Sequence, residues 1–600
     1  MPIYLCASAP IYIAAIRGFQ SNNLTELEAE AMMKKRWIKG AAALLCAAFL
    51  CAAGGATALA ENGAAAETET EAAEELTVNT DAAITSCVIA GDKNTIQVTA
   101  ESNGDMVNTD GYLYLFELKP YESEIGSRTD YAAWANGGTP ASFSLSLNRG
   151  TASDRLYSRF VVAVLTKDGY QEISKPHYIT NPELVAPNQN PYKAPLSKKG
   201  LQMEISQIGD AFQLGVKHSS VNIAFHQILG SGIDYEYDGK VYHFSKPVIE
   251  SYDATISAMS NKDITVTAII LNGWNPATPD LIVPGTTQKS NVFYYMPNVT
   301  TQAGFEQTRA IAAFLAERYD GSNPDYGKVS NWIIGNEINN QQWNHMGATG
   351  ISNYVQTYQD AFRVFYTAIK STSANDRVFF SLDYNWHNEA DGQLKYGGKD
   401  IIDYFNSIAN VQGQMDWGVA YHPYPCPMTD AVFWDDAKTG LITNDLNSPV
   451  VNFINLNVLT DYLATPAFQK PNGQVRNIML TEEGFTATNA KGDDLSLVQA
   501  AAYAYSYYLV DSNPYIDAYI LSRQVDAPSE VNMGLAFGLW SCDMSQPNQI
   551  IPQKRRKLWE VFRDIDNSKK TLETTEFAKS IIGIDKWSDV VPNFKWRSQE

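Results

Sequence analysis

The hydrophobic pattern changes character partway along the chain. Between about residues 77 and 180, apolar residues alternate with polar ones in short runs that Gly, Asn and Asp interrupt. A period of two, bounded by turn residues, is typical of half-buried antiparallel strands. We therefore expect an immunoglobulin-like β-sandwich over residues 77–190. The runs are SCVIAG, NTIQVTAES, GYLYLFELKP, ASFSLSLN, RFVVAVLTKDG and HYIT.

Beyond a linker rich in Pro and Asn, the runs become almost continuously apolar, and helical patterns separate them. Such runs indicate parallel strands that are covered on both faces. Eight runs are the number that a (β/α)8 barrel requires. The predicted fold class is therefore α/β: a TIM barrel with a C-terminal extension over residues 198–600, preceded by the sandwich. The runs are GLQMEIS, SSVNIAF, ITVTAIILN, NWIIGNE, RVFFSLDYN, DWGVAYHPYP, NIMLTEEGF and IDAYILSRQVD.

Local signals place helices and one insertion within the barrel. Apolar residues three and four positions apart predict helices over 311–319, 354–369 and 558–565. After the second run, Asp238-Gly239 predicts a tight β-hairpin. We expect this hairpin to rim the barrel mouth.

The N-terminal region predicts export. A basic stretch, MMKKRWIKG, precedes the short apolar run AAALLCAAFLCAAGGATALA, which is the pattern of a secretory signal. We expect a signal peptide over residues 32–60 with cleavage near Ala60, and a misassigned start for residues 1–31. Residues 61–76, acidic and free of aromatics, predict a disordered linker. The mature chain is then expected to be extracellular, without membrane insertion.

Composition narrows the class of partner. The 600 residues carry a net charge of −21, which repels phosphate backbones and argues against nucleic-acid binding. After cleavage, Cys87, Cys426 and Cys542 remain, and they form neither a disulfide framework nor a zinc signature. A Cys426–Cys542 bridge stays open. We expect a monomer that needs no metal and no cofactor.

Two glutamates close separate apolar runs. Glu337 ends the fourth run, NWIIGNE, and Glu482 follows the apolar part of the seventh, NIMLTEEGF. All strands of a parallel barrel open at one face, so the two carboxyls are expected to meet at the barrel mouth. A pair of carboxyls can protonate a glycosidic oxygen and attack or stabilise the anomeric carbon.

These motifs resemble those of the clan A (β/α)8 retaining glycoside hydrolases, and within them an uncharacterised group of secreted bacterial barrel proteins. That clan carries an Asn-Glu pair ending strand four and a nucleophilic Glu, often Glu-x-Gly, ending strand seven. The resemblance implies that Glu337 is the acid/base, that Glu482 is the nucleophile and that Asn336 bonds the 2-hydroxyl of the sugar. It further implies that His422 or Tyr424, at the end of strand six, donates to the nucleophile.

One departure from the clan lies on strand two, where many members carry an arginine that contacts the nucleophile. Here that strand reads SSVNIAF. Asn222 is a candidate substitute, and Arg523 on strand eight is a candidate source of positive charge.

Strand alternation alone does not decide whether Glu482 or Glu483 is the glutamate that points into the barrel mouth. Neighbouring residues of a strand point to opposite faces, so only one of the two can enter the mouth. The Glu-x-Gly spacing favours Glu482, with Glu483 then in a supporting or substrate-contacting place. Alternation groups Ile478, Leu480 and Glu482 on one face and Met479, Thr481 and Glu483 on the other.

Tryptophans that follow strands are candidates for stacking on sugar rings. We favour Trp386 and Trp274, which come directly after strands five and three. The sandwich shows no evident cluster of exposed aromatics, so a bracing role is favoured over sugar binding there.

The resemblance and the paired carboxyls together predict a secreted retaining glycoside hydrolase acting on a β-linked oligo- or polysaccharide. Two alternatives stay open. One is a non-catalytic carbohydrate-binding surface protein on an inactivated barrel, which the missing strand-two arginine favours. The other is an adhesin whose working part is the sandwich.

Overall fold

A computed structural model describes residues 81–600 except 105, 107, 108 and 389. The predicted start segment, signal peptide and acidic linker, over residues 1–76, lie outside the described residues. The strands of the described part are numbered in chain order below.

Eight strands over residues 83–178 form two antiparallel sheets. One sheet has the order β1-β2-β5, and the other the order β4-β3-β6-β7 with β8 paired to β6. Alternate residues of both sheets, such as Ile96, Val98, Leu115 and Val162, belong to one hydrophobic core. This is the packing that the alternating runs predict. The strands are β1 Ala83–Ile89, β2 Thr95–Glu101, β3 Tyr112–Leu118, β4 Ala133–Asn136, β5 Ala141–Ser146, β6 Arg159–Thr166, β7 Gly169–Glu172 and β8 His177–Tyr178.

Eight further strands close into a parallel barrel in the order β10-β13-β14-β15-β16-β17-β18-β9. Each of the eight predicted runs supplies one barrel strand, in the predicted sequence, so the fold class is confirmed. The remaining strands form two separate hairpins, β11–β12 and β19–β20. The strands are β9 Lys199–Leu201, β10 His218–Ala224, β11 Gly232–Tyr237, β12 Lys240–Ser245, β13 Thr265–Leu271, β14 Asn331–Ile334, β15 Arg377–Asp383, β16 Trp417–His422, β17 Ile478–Glu483, β18 Ile516–Leu521, β19 Trp540–Cys542 and β20 Pro552–Arg555.

Helices surround the barrel between its strands, including the three that apolar periodicity predicts. The C-terminal extension packs outside, where Tyr508 contacts Trp587 and Trp596 with ring centroids 4.8 and 5.6 Å away. The helices are Ile208–Gln213, Phe225–Ile228, Lys246–Ser260, Gln302–Arg318, Ile351–Thr372, Gly398–Gln412, Asn457–Ala464, Ser496–Ser512, Pro528–Val531, Lys557–Asp564 and Thr571–Ile582.

The β11–β12 hairpin does not rim the mouth as expected. It lies along the helix Gln302–Arg318, where Phe244 stacks on Phe314 with centroids 3.8 Å apart and the Tyr235 hydroxyl donates to Glu317 at 2.9 Å. Tyr237 reaches Tyr157 of the sandwich, with the two hydroxyls 3.5 Å apart. The hairpin packs on the outside of the barrel because its aromatic side chains, Tyr235 and Phe244, are covered by Phe314 of the helix Gln302–Arg318.

The sandwich also contacts the outer helices of the barrel directly. The Tyr178 hydroxyl donates to Asp360 at 3.2 Å, and the Arg363 guanidinium lies 4.5 Å from the Tyr178 ring centroid. Both contacts are to the helix Ile351–Thr372. This packing agrees with a bracing role for the sandwich.

Two features bear on the compartment. No helix within the described residues has the length and apolar character needed to cross a bilayer. Within the same residues, Cys426 and Cys542 form no disulfide. The Cys542 thiol instead lies 3.6 Å from the Met544 sulfur.

The barrel interior is filled by side chains, which leaves the mouth as the place for chemistry. Ile269, Ile333, Ala420 and Met479 share this interior core with Phe379.

Packing around Phe379 gives a test of barrel closure. A Cβ at Gly418 would lie 2.5 Å from the Phe379 ring, so Gly418→Ala should destabilise the protein by about 1–3 kcal/mol through overpacking. Urea unfolding measures the loss. The control is Gly209→Ala in an exposed helix, where a Cβ meets nothing within 4 Å and stability should be unchanged or rise by up to about 1 kcal/mol. Equal midpoints for Gly418→Ala and the parent would contradict the packed interior.

Candidate active site

Glu337 stands where β14 turns sharply over the barrel mouth. Gly335 adopts a φ of +80° and Glu337 a φ of +39°. The Gly335 N–H still donates to Ile270 of the neighbouring strand at 2.9 Å. A positive φ is uncommon for a residue with a side chain and costs on the order of 1–3 kcal/mol. The surrounding contacts must therefore hold Glu337 in place.

The end of β15 supplies those contacts. The Glu337 N–H donates to Ser381 Oγ at 2.6 Å, and the Ile338 N–H donates to the Ser381 carbonyl at 3.0 Å. Asn339 and Asp383 bond each other twice: Asn339 Nδ2 donates to Asp383 Oδ1 at 2.6 Å, and the Asp383 N–H donates to Asn339 Oδ1 at 3.0 Å. These four bonds form a clamp on the loop that carries Glu337.

His422, at the end of β16, lies between the ends of β14 and β17. Its Nδ1 is 2.8 Å from Glu337 Oε1, and its Nε2 is 3.1 Å from Thr481 Oγ1. Burial lowers the pKa of His422, so the imidazole is neutral at pH 7. Of the two residues expected to donate to Glu482, His422 instead bonds Glu337.

An irregularity in β17 decides which glutamate enters the mouth. Met479 lies in the barrel interior and Thr481 reaches His422, so unbroken alternation would turn Glu483 inward. Pairing with β18 slips between Leu480 and Glu483 by one residue. Such a bulge re-aims the side chains that follow it. Glu482 therefore faces the mouth and Glu483 faces outward.

Glu482 accepts a hydrogen bond from the Tyr424 hydroxyl, with an O–O distance of 3.1 Å. The pKa of Glu482 lies above its ordinary value, because burial and the charge of Glu337 raise it by more than the Tyr424 bond lowers it. The Tyr424 contact is the one that the sequence predicts for a residue after strand six. It stabilises the ionised form of Glu482.

Glu483 is 0% exposed, and neither of its carboxyl oxygens has a hydrogen-bond partner among the described residues. Its charge would raise the pKa of Tyr503 and of Tyr519, which lie in the layer outside the barrel. Burial raises the pKa of Glu483 well above its ordinary value. Of the two neighbouring glutamates, Glu482 is therefore the one that lies at the mouth.

Gly484 has a steric role in the Glu-x-Gly motif. A Cβ at this position would lie 2.6 Å from the Ser522 carbonyl oxygen and 2.7 Å from the Phe537 ring. Because glycine has no side chain, the backbone directly after the bulge can lie against the Ser522 carbonyl at the end of β18.

The two mouth carboxyls differ in their surroundings. Burial, and then the charge of Asp383, raise the pKa of Glu337 well above its ordinary value. Burial raises the pKa of Asp383 itself, and the hydrogen bonds that it accepts from Asn339 and from the backbone and side chain of Asn385 oppose that rise. Glu482 has the opposing bond from Tyr424. The pKa values of Glu337 and Glu482 are therefore both raised, but Glu482 has a hydroxyl donor and Glu337 has a neighbouring carboxylate, so Glu482 releases its proton more easily than Glu337 does.

Asn222 and Arg523 line one narrow cavity beside the mouth, with a volume of about 20 Å³, which is room for one water. Arg523 follows a cis peptide bond to Ser522 and donates to Glu530 at 2.7 Å. Glu530 therefore balances the charge that was expected to serve the nucleophile. Asn222 lies on the inner side of β10, paired with the interior residue Ile269.

The two tryptophans favoured for stacking on a sugar differ in their exposure to solvent. Trp386 is 0% exposed, and its Nε1–H donates to the Leu446 carbonyl at 3.1 Å. The expectation that it stacks on a sugar is wrong, because a later loop folds over it. Trp274 is half-buried against Tyr295, with centroids 5.2 Å apart, and keeps an accessible part.

Sequence reasoning missed several residues at the mouth. Ser381 and Asp383 occupy alternate positions at the end of RVFFSLD, and polar residues at that spacing in an apolar strand were an available signal. Tyr294 packs against the interior core. Burial raises the pKa of Tyr294, and the charge of Glu482 raises it further. Nothing in the loop sequence NVFYYMP distinguishes Tyr294 from its neighbours.

The influence of Asp383 on Glu337 can be measured directly. Asp383→Asn removes the negative charge that raises the pKa of Glu337, so that pKa should fall. NMR titration of protein labelled with 13C-glutamate reads the shift, with Glu337→Gln identifying the signal.

The matched control is Asp376→Asn. Asp376 is also buried, at the opposite end of the barrel, where it lies 3.1 Å from Lys328. This change should leave the pKa of Glu337 unaltered. An unchanged Glu337 titration in Asp383→Asn would show that Asp383 exerts no charge effect.

Comparison with solved structures finds similar barrels at low identity. A family 39 glycoside hydrolase from Bacteroides cellulosilyticus WH2 is 15% identical, with a TM-score of 0.42, over 80% of this chain and 82% of that one. A family 1 β-glucosidase from Thermotoga maritima is 12% identical, with a TM-score of 0.37, over 60% and 85%. A glucosidase from Croceicoccus marinus is 11% identical, with a TM-score of 0.38, over 63% and 68%. The closed barrel itself carries the fold assignment.

No curated protein matches the sequence significantly. Residues 191–590, which make up most of the chain, match the family model described as "Family of unknown function (DUF5722)". The chain belongs to that family.

Proposed function

We propose that this protein is a retaining glycoside hydrolase that cleaves a β-linked oligo- or polysaccharide. The observation that carries the proposal is the pair of mouth carboxyls, Glu337 and Glu482, which lie close enough for the charge of Glu337 to raise the pKa of Glu482. Glu337 has the more strongly raised pKa, so it is the carboxyl of the pair that we expect to hold the proton. A retaining enzyme needs one protonated and one ionised carboxyl at the start of its cycle.

In the first step, protonated Glu337 gives its proton to the glycosidic oxygen as the bond to the anomeric carbon breaks. The Glu482 carboxylate attacks that carbon from the opposite face and forms a glycosyl ester. In the second step, Glu337, now ionised, takes a proton from water, and the resulting hydroxide displaces Glu482. Two inversions give net retention.

The charge coupling of the pair supports this exchange of roles. The charge of Glu337 raises the pKa of Glu482, and because coupling between two titrating groups is reciprocal, an ionised Glu482 raises the pKa of Glu337. Forming the ester removes the charge of Glu482, so the pKa of Glu337 falls and the same group can act as a base. The bond to His422 and the Ser381–Asp383 clamp hold Glu337 in place through both steps.

Substrate contacts follow from position. Asn336, which directly precedes Glu337, is proposed to bond the sugar 2-hydroxyl, and Trp274 to stack on a neighbouring unit. Tyr294, near Glu482, is a further candidate. Export through the leader at residues 32–60, action outside the cell as a monomer and independence of metals and cofactors belong to the same proposal.

A non-catalytic carbohydrate-binding protein is the second candidate. It is favoured by the pairing of Arg523 with Glu530 at 2.7 Å and by Asn222 in the place of the arginine that clan A barrels carry on strand two. In that case the mouth would hold a sugar without cleaving it.

Replacing the two glutamates should separate these candidates. Glu337→Ala and Glu482→Ala should each lower kcat/KM by about 100-fold or more, since each removes a group that acts in the transition state. Azide, which needs no base, should restore turnover in both. NMR should show a β-glycosyl azide with Glu337→Ala, formed after two inversions, and an α-glycosyl azide with Glu482→Ala, formed after one.

Glu483→Gln is the matched control, because it replaces a neutral carboxyl by a neutral amide one residue from the nucleophile. It should keep wild-type kcat/KM. Binding of a glycan with no turnover by the parent would favour the second candidate, and loss of activity in Glu483→Gln alone would reverse the assignment of the nucleophile.

The Tyr424 bond should be visible in the pH profile. Tyr424→Phe removes a donor that lowers the pKa of Glu482, so that pKa should rise. The acidic limb of the kcat/KM profile should then move to higher pH, by about one to two units for a bond of about 1.5–3 kcal/mol. Tyr462→Phe, which removes a hydroxyl bonded to Asp403 outside the barrel, should leave the limb in place. An unmoved limb in Tyr424→Phe would contradict the role of Glu482.

A further inference from the structure

The outer side of the sheet β4-β3-β6-β7 carries a group of aromatic residues that we call the aromatic face: Tyr112, Tyr114, Tyr131, Trp134 and Tyr170. In the register of the sheet, Tyr114 lies opposite Trp134 and Leu165 lies opposite Tyr170. The expectation that the sandwich lacks an exposed aromatic cluster is therefore wrong. The cluster forms across strands and a loop, so no single run of sequence displays it.

Three of these rings are open to solvent. Trp134 is 56% exposed, Tyr131 41% and Tyr112 40%. They are the large hydrophobic residues of the sandwich strands and loops that stand exposed among the described residues, and neither the second sheet nor the barrel covers them. Apolar groups gathered on one surface mark a binding site more often than isolated ones do.

The rings support one another at contact distance. The Tyr112 and Trp134 centroids are 5.1 Å apart, those of Tyr114 and Tyr131 are 4.8 Å apart, and those of Tyr114 and Tyr170 are 4.9 Å apart. Tyr114 is buried beneath the others, and its hydroxyl donates to Asp110. Tyr131 is thus held by a buried ring, and Tyr112 and Trp134 hold each other, so little side-chain entropy is lost when a ligand binds.

The chemistry of the face fits an uncharged sugar chain. The C–H face of a pyranose is apolar and slightly positive, which matches the negative face of an aromatic ring. Hydroxyls of Tyr112 and Tyr131 and the indole N–H of Trp134 add groups that can bond sugar hydroxyls.

Charge argues against an anionic ligand. The carboxylate of Asp110 lies at the edge of the face, where it accepts from the Tyr112 N–H at 3.0 Å. Arg128, in the loop beside Tyr131, is bonded to Asp130 at 3.1 Å and to the Glu117 carbonyl at 3.0 Å. A polyanion would therefore meet a carboxylate and an arginine that already has partners.

Ring orientation narrows the form of the ligand. Neighbouring ring planes differ by 83° for Tyr112 and Trp134, and by 55° for Tyr114 and Tyr131. A flat crystalline surface could touch only one such ring at a time. A soluble chain whose units rotate about their linkages can present a sugar face to each.

We propose that the aromatic face binds a soluble, neutral polysaccharide, at a site separate from the barrel mouth. The site does not depend on hydrolysis by the barrel. If the barrel cleaves the same polymer, attachment at the face raises the local concentration of substrate at the mouth.

The test uses the full chain with Glu337→Gln and Glu482→Gln, so that no probe is consumed. Native gels containing arabinoxylan, mixed-linkage β-glucan, galactomannan or polygalacturonate report binding as retarded migration. At least one neutral polysaccharide should retard the protein. Adding Trp134→Ala and Tyr131→Ala should weaken the association constant by about tenfold, since two stacking contacts are lost.

The control variant is Tyr404→Ala, on the barrel helix Gly398–Gln412. Tyr404 is 40% exposed, as Tyr112 is, but lies outside the aromatic face. It should leave retardation unchanged, and circular dichroism should show the same fold in all variants.

Three results would overturn the proposal. One is the absence of retardation by every neutral polymer, and another is retardation that survives loss of Trp134 and Tyr131. The third is a sedimentation profile in which the parent is a dimer that Trp134→Ala converts to a monomer, because the face would then be a self-association surface. Since catalysis is blocked throughout, none of these results depends on whether the barrel is a hydrolase.

Discussion

The extra residue in the seventh barrel strand is the constraint on which the site depends. A closed parallel barrel brings all strand ends to one face, but it does not determine which side chains point across that face. Pairing with β18 slips by one residue between Leu480 and Glu483, and the slip turns Glu482 inward. Without it, Glu483 would approach Thr481 and His422, and Glu482 would be buried among tyrosines. Gly484 makes the slip possible, because any side chain there would collide with Ser522 and Phe537.

The electrostatics of the mouth follow from burial and from a few hydrogen bonds. Water is largely excluded, so each carboxyl resists ionisation unless a partner stabilises its charge. Tyr424 does this for Glu482, whereas His422 is neutral and Asp383 repels charge on Glu337. The pKa of both half-buried acids is raised, and the hydrogen bond from Tyr424 is what makes Glu482 the easier of the two to ionise. The clamp from the end of β15 keeps Glu337 at a positive φ that it would not hold alone.

Much of the fold can be predicted from the sequence, because a strand covered on both faces appears in the sequence as a long apolar run. The positions of Glu337 and Glu482 at strand ends follow from the same logic, as does the Tyr424 contact. Features that depend on neighbouring segments cannot be predicted from the sequence. The bulge can be located only when the register with β18 is known, and the partner of His422 only when the position of the loop that carries Glu337 is known. Trp386 lies in the core because a loop about sixty residues later covers it. The aromatic face was hidden because β3, β4 and β7 contribute to it from separate segments.

The central claim, that the slip in β17 makes Glu482 the group that attacks the anomeric carbon, is open to one direct measurement. The protein would be incubated with the 2-deoxy-2-fluoro analogue of a glycoside that it hydrolyses, which lets the glycosyl ester form and slows its breakdown. Peptide mass spectrometry would then locate the label. A sugar attached to Glu482 is the predicted result, and a sugar attached to Glu483 or Glu337 would contradict the account.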